Sequence, residues 1–147
     1  MYRNLLVPID GSSLADKAID GSIALAKQLG ATITAFTAEP TPPLPTEGQS
    51  ALIVAAHRQQ HAARTERHAR DVLARFAERA CAAGIGFSGH HVTTAGIDDA
   101  IARAADEHGC DMIVMATHAR GALGELVFGS HTKSVMARSR LPLLVLQ

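Results

Sequence analysis

The residues best placed to do chemistry lie between Val114 and Ser130, where VMATHARGALGELVFGS runs from an apolar segment into small residues and stops at Gly129-Ser130. A strand, a loop and a helix start in that order make an anion site. Ser130 can cap the following helix with its hydroxyl, and the unpaired N–H groups of the first turn, at the positive end of the helix dipole, face whatever fills the loop. A phosphate suits that place. The spacing is not that of a P-loop, because no Gly-Lys-Ser/Thr follows, and the same residues would also serve as a plain strand-to-helix connection. His118, Arg120, His131 and Lys133 bracket the loop with groups that can face phosphate, and Arg120 keeps its charge at every accessible pH.

Other reactive residue types are less well arranged. His57 and His61 sit four apart, a spacing that lets two imidazoles share a metal from one helix face, but no acidic or cysteine partner stands at a ligand offset. They read as surface histidines, and no metal site is expected. His90 and His91 are neighbours on an extended segment and point to opposite sides. Cys81 and Cys110 have neither metal-ligand nor redox-motif spacing, so two reduced, packed thiols are expected. No Ser-His-Asp or Cys-His set can be assembled from sequence separation, and no catalytic residue is assigned.

The elements that must position these groups follow from periodicity and punctuation. Asn4 to Ile9 is a continuous apolar run of strand length, broken by Asp10-Gly11-Ser12-Ser13. Ser12 or Ser13 can cap a helix from about Ser13 to Leu29, which Gly30 stops. Ala31 to Thr37 is a second strand, rich in β-branched residues. Glu39 to Gln49 holds four prolines and a glycine and is expected to be an extended loop. From Ser50 to Ala83 glycine and proline are absent, and Ala62, Thr65, Ala69, Val72, Phe76, Ala80 and Ala83 line one face of a long amphipathic helix. Its arginines interleave with Glu66, Asp71 and Glu78 at spacings that permit ion pairs along a solvated face. Ile85 to Thr93 is a weaker strand. A helix then begins near Asp98 and Asp99 and runs to about His108, followed by a strand from Asp111 to Ala116, a short helix from Ser130 to about Arg138 and a last strand from Leu143 to Leu146. Five strands alternating with four helices predict an α/β domain, a doubly wound parallel sheet with helices on both faces.

Two long segments carry a family resemblance. The stretch from Asp111 to Leu146, DMIVMATHARGALGELVFGSHTKSVMARSRLPLLVL, and the opening LLVPIDGSSLADKAIDGSIALAKQLGATITAF resemble the C-terminal signature and the opening of the universal stress protein family. The likeness spans nearly the whole chain as one domain and is weakest from Thr41 to Arg67. It implies a Rossmann-like, adenine nucleotide alpha hydrolase-like sheet in the order 3-2-1-4-5. Ligands of such a sheet bind beyond the carboxyl ends of the strands where the order reverses, here between strands one and four. Pro8, Ile9 and Asp10 of strand one, Ala35 to Ala38 of strand two and the stretch from Val114 to Ser130 would form the walls of that site. Asp10 could accept a hydrogen bond from an adenine amino group or a ribose hydroxyl, as the matching aspartate of nucleotide-binding relatives lies by the nucleotide, or it could be a turn or cap residue. Thr37 matches a position whose backbone touches adenine.

In ATP-binding members the loop pattern is glycine, two residues, glycine, nine residues, then glycine with serine or threonine. Aligned from its end, it falls on Ala116, Ala119, Gly129 and Ser130, so two glycines are replaced by alanine. The expectation is therefore a stress-response binding or signalling module that holds ATP or another adenine nucleotide weakly. The alternatives are an ATP-binding switch with slow hydrolysis and an interaction dimer that needs no nucleotide. The resemblance also implies a homodimer through the last strand, whose Leu144 and Leu146 would otherwise leave an apolar edge.

Composition narrows the field further. The chain has 147 residues, 47% of them hydrophobic, with 14 basic and 14 acidic side chains that cancel. That balance lacks the basic footprint of a nucleic-acid or anionic-membrane binder. The first residues are too weakly apolar for a signal peptide, and no run has the length of a membrane span, so a cytoplasmic location is expected.

Overall fold

The computed structural model describes residues 1–117 and 130–147. Its strands are β1 (Asn4–Pro8), β2 (Thr32–Pro40), β3 (Phe87–Thr94), β4 (Met112–Ala116) and β5 (Leu143–Leu146), and its helices are α1 (Ala15–Leu29), α2 (Ala51–Ala82), α3 (Ile97–Glu107) and α4 (Ser130–Arg138). The strands form one sheet in the order β3-β2-β1-β4-β5. Every neighbouring pair is parallel, with Leu5 of β1 opposite Ile33 on one side and Met112 on the other.

Strand alternation divides the apolar residues between the two faces of the sheet. Leu5, Val7 and Val114 pack with α1 and α2, through Ile19 and Phe76. Leu6, Ile113 and Met115 pack with α3 and α4, through Ile101 and Val135. β1 is buried from Leu5 to Val7, as a central parallel strand covered on both sides must be. Asp111 fixes where β4 starts beside it, accepting the backbone N–H groups of Arg3 at 2.7 Å and Asn4 at 3.1 Å.

Several boundaries differ from the expected ones. Neither Ser12 nor Ser13 caps α1; its N-cap is Leu14, which has no side-chain bond to the helix. The serine is used one turn earlier, where Ser12 Oγ accepts the Leu14 N–H at 3.3 Å. β2 continues through Glu39 to Pro40 instead of becoming loop. β1 pairs with β2 only as far as Phe36, while β3 pairs on to Pro40, so the end of β2 is bonded on one side and a proline there forfeits no ladder bond. Gly30 caps α1 in the left-handed conformation, φ 65°, and Ser50 caps α2 by accepting the Ile53 N–H.

α2 is one continuous helix, and its buried face is Thr65, Ala69, Val72, Phe76 and Ala80. Ala62, expected on that face, is exposed because the helix meets the sheet only from about Thr65 onward. Of its arginines, Arg70 pairs along the helix with Glu66, whereas Arg79 crosses to Asp16 and Asp20 of α1. Both cysteines are free thiols, Cys110 buried but Cys81 exposed, which corrects the expectation that both are packed. Burial pushes the Cys110 thiol up, with the Asp111 carboxylate adding to it and a hydrogen bond from Thr34 opposing.

Candidate functional site

β1 and β4 lie side by side, but the chain leaves β1 for α1 on one face and joins α4 on the other. The divergence opens a cleft beyond the carboxyl ends of both strands, where a doubly wound sheet binds its ligands. A cavity of about 270 Å3 occupies that place. Its apolar part is made by Phe36 and Ala38 of β2, Ile97 and Ile101 of α3, Met115 of β4 and Leu14, Ala15 and Ala18 at the start of α1, and its polar rim by Asp10, Ser12, Thr117, His131 and Thr132. A planar, apolar-faced group with a polar periphery suits such a lining.

Pro8, Ile9, Asp10 and Ala116 all line the cavity, as the sequence led one to expect. Asp10 also shapes its turn: Oδ1 accepts the Ser12 N–H at 2.9 Å. It is thus a turn residue and a cavity residue together, and it is not the cap of α1. The turn is anchored by α2, since the Asp10 carbonyl oxygen accepts a hydrogen bond from His68 Nε2 at 2.9 Å. Ala116 closes β4 opposite Leu146, and among the described residues only glycines have positive φ, so its methyl group sits on an ordinary strand backbone.

The expectation at Thr37 concerns its backbone; the side chain goes elsewhere. Its side chain is wholly buried and not part of the cavity lining, which takes Phe36 and Ala38 on either side of it. Strand alternation turns Thr37 toward the opposite face of the sheet, where Oγ1 has no hydrogen-bond partner among the described residues. Ser130 is exposed at the first position of α4 and is not among the residues lining the cavity. His118, Ala119, Arg120 and Gly129 lie outside the described residues.

Some of the site was not assigned from sequence. Ile97 and Ile101 occupy i and i+4 of α3 and carry the signature of any core-facing helix, with nothing to separate cavity wall from core. His131 was legible only as a loop-flanking cation. In the structure its Nδ1 lies 2.6 Å from Asp98 Oδ1, joining α4 to the first turn of α3 at the cavity rim. Among the described residues no three His, Cys, Asp or Glu side chains are grouped to hold a metal ion, and no helix is long and apolar enough to cross a membrane.

The family model for the Universal stress protein family matches residues 1–147. Among solved structures, a protein of that family from Burkholderia pseudomallei is similar at 26% identity, with 98% of this chain and 95% of that chain covered and a TM-score of 0.66. Universal stress protein UspA from Lactobacillus plantarum gives a TM-score of 0.79 at 19% identity over 99% of this chain and 98% of that one. The universal stress protein from Archaeoglobus fulgidus in complex with dAMP gives 0.64 at 18% identity, covering 99% and 98%. No curated relative matches the chain.

Proposed function

The chain belongs to the universal stress protein family, and on that premise we propose that its cleft between β1 and β4 binds an adenine nucleotide weakly, as part of a stress-response binding or signalling module. The observation that carries this reading is the composition of the cavity. Phe36, Ala38, Ile97, Ile101 and Met115 form an apolar slot for a base, with the Asp10 carboxylate at its rim to accept from a ribose hydroxyl or an amino group. The dAMP complex of the Archaeoglobus fulgidus relative supports an adenine nucleotide as the ligand class.

Weakness follows from the two alanines. At Ala116 the strand backbone is ordinary and a methyl group takes only a little space. Ala119 belongs to the stretch read from sequence as the loop; where a phosphate cradle needs positive φ or close backbone approach, alanine costs on the order of 1–2 kcal/mol, about tenfold in affinity. Binding at roughly tens of micromolar or poorer is expected, without substantial hydrolysis. The protein also assembles as a homodimer across β5, the edge strand on which Leu144 is exposed.

Titration calorimetry with ATP on the wild type beside Ala119→Gly tests the reading. A gain near tenfold in the variant supports a trimmed but working site. Absence of binding in both contradicts it and favours an interaction dimer that needs no nucleotide, and submicromolar wild-type binding contradicts the weakness.

A further inference from the structure

His131 lines the cavity on α4, and its Nδ1 is 2.6 Å from Oδ1 of Asp98 on α3. The Asp98 carboxylate can only accept, so Nδ1 carries the proton. The remaining nitrogen, Nε2, is then an acceptor in the neutral ring and a second donor in the imidazolium. Fixing one nitrogen in this way also fixes the plane in which the other presents itself. The Asp98 side chain is 23% exposed and that of His131 is 64% exposed, so the anchor is half-sheltered and the ring is open to a ligand.

The remaining charged groups around the ring divide the cavity into two ends. Asp99, next to Asp98, is already paired with Arg103 at 3.2 Å. Asp10 stands on the β1 rim of the same cavity, and Lys133 lies on α4 itself. An anion is repelled by Asp10 and attracted to α4. Resting on the adenine-nucleotide reading above, we infer that His131 contacts the ligand phosphate through Nε2, with Asp98 as its positioning residue. As an imidazolium the ring donates both N–H groups, one to Asp98 and one to the phosphate, and the pair makes the cleft select nucleotides over nucleosides.

The test is calorimetric titration of the purified protein with AMP and with adenosine at one mildly acidic pH. It uses the wild type, His131→Gln and Asp98→Asn, with melting temperatures to verify folding. The wild type is expected to prefer AMP over adenosine by roughly tenfold. His131→Gln should abolish the preference by weakening AMP far more than adenosine. Asp98→Asn, which keeps an acceptor but not the charge, should lower the preference without touching adenosine. A preference for AMP that persists in both folded variants overturns the inference and leaves the pair as a clasp between α3 and α4; so does equal wild-type binding of AMP and adenosine. Failure of the wild type to bind either ligand overturns the nucleotide reading and this inference with it.

Discussion

His68 Nε2 lies 2.9 Å from the carbonyl oxygen of Asp10, so the long helix α2 holds the turn at which β1 ends. Because a carbonyl can only accept, the ring must donate from Nε2, which fixes its tautomer. The same ring approaches Glu39 Oε1 at 3.8 Å, and His61 makes a matching 2.9 Å contact with the Pro40 carbonyl oxygen. Two histidines of α2 thereby tie down the ends of β1 and β2, the strands that supply Asp10, Phe36 and Ala38 to the cavity.

Gly11 is the weak point of that arrangement. Its φ is +76°, and a Cβ there would lie 2.7 Å from the His68 ring and 2.9 Å from Val72. Gly11→Ala therefore meets backbone strain and a clash together, and a loss on the order of 2 kcal/mol is expected in denaturant unfolding. An unchanged midpoint would contradict the tether.

Asp10→Ala separates the turn from the ligand contact. The turn bond to Ser12 is exposed and worth about 0.5–1.5 kcal/mol, so the melting temperature of the empty protein should fall only modestly. Affinity for AMP should fall by about 1–3 kcal/mol in calorimetry. A large loss of stability with unchanged affinity would assign Asp10 to the turn alone.

How much of this was legible beforehand differed from element to element. β1 and β4 announced themselves as short apolar runs because both their faces are covered, and Gly30 marked the end of α1 because the left-handed cap favours it. The α3 wall did not announce itself. Ile97 and Ile101 carry the same signal as any buried residue, and only the strand order turns them into a binding surface. The His131–Asp98 pair joins positions 33 residues apart, a proximity that no local pattern encodes.

The histidines on β3 and at the C-cap of α3 set an acid limit on stability. The rings of His90 and His108 stack at 3.8 Å, and His90 is depressed below its ordinary value by desolvation and by the neighbouring imidazole. A depressed histidine is protonated more readily in the unfolded chain, so its contribution is present above the ordinary value of 6.5 and is lost as pH falls through and below it. Melting temperature should therefore drop on acidification from neutral pH, and less steeply in His108→Gln. Identical slopes would show that the stacked pair does not contribute.

β5 tests the assembly. Leu144 is 36% exposed on the edge strand, whereas a Cβ at Gly21 would lie 2.5 Å from Leu146 Cδ1, so Leu146 already packs closely on α1. Leu144 thus has more surface left to lose at an interface. Leu144→Asp should convert a dimer to a monomer in sedimentation; a wild-type monomer at tens of micromolar, or a variant of unchanged mass, would contradict the homodimer.

An adenine nucleotide in the cleft between β1 and β4 is located directly by methyl NMR. On titration with AMP, the methyl signals of Ile97, Ile101 and Met115 should move together and saturate at roughly tens to hundreds of micromolar. Those of Ile19 and Ile33, on the face covered by α1 and α2, should stay in place. Cavity methyls that do not move at millimolar AMP, or shifts confined to the other face of the sheet, would contradict the account.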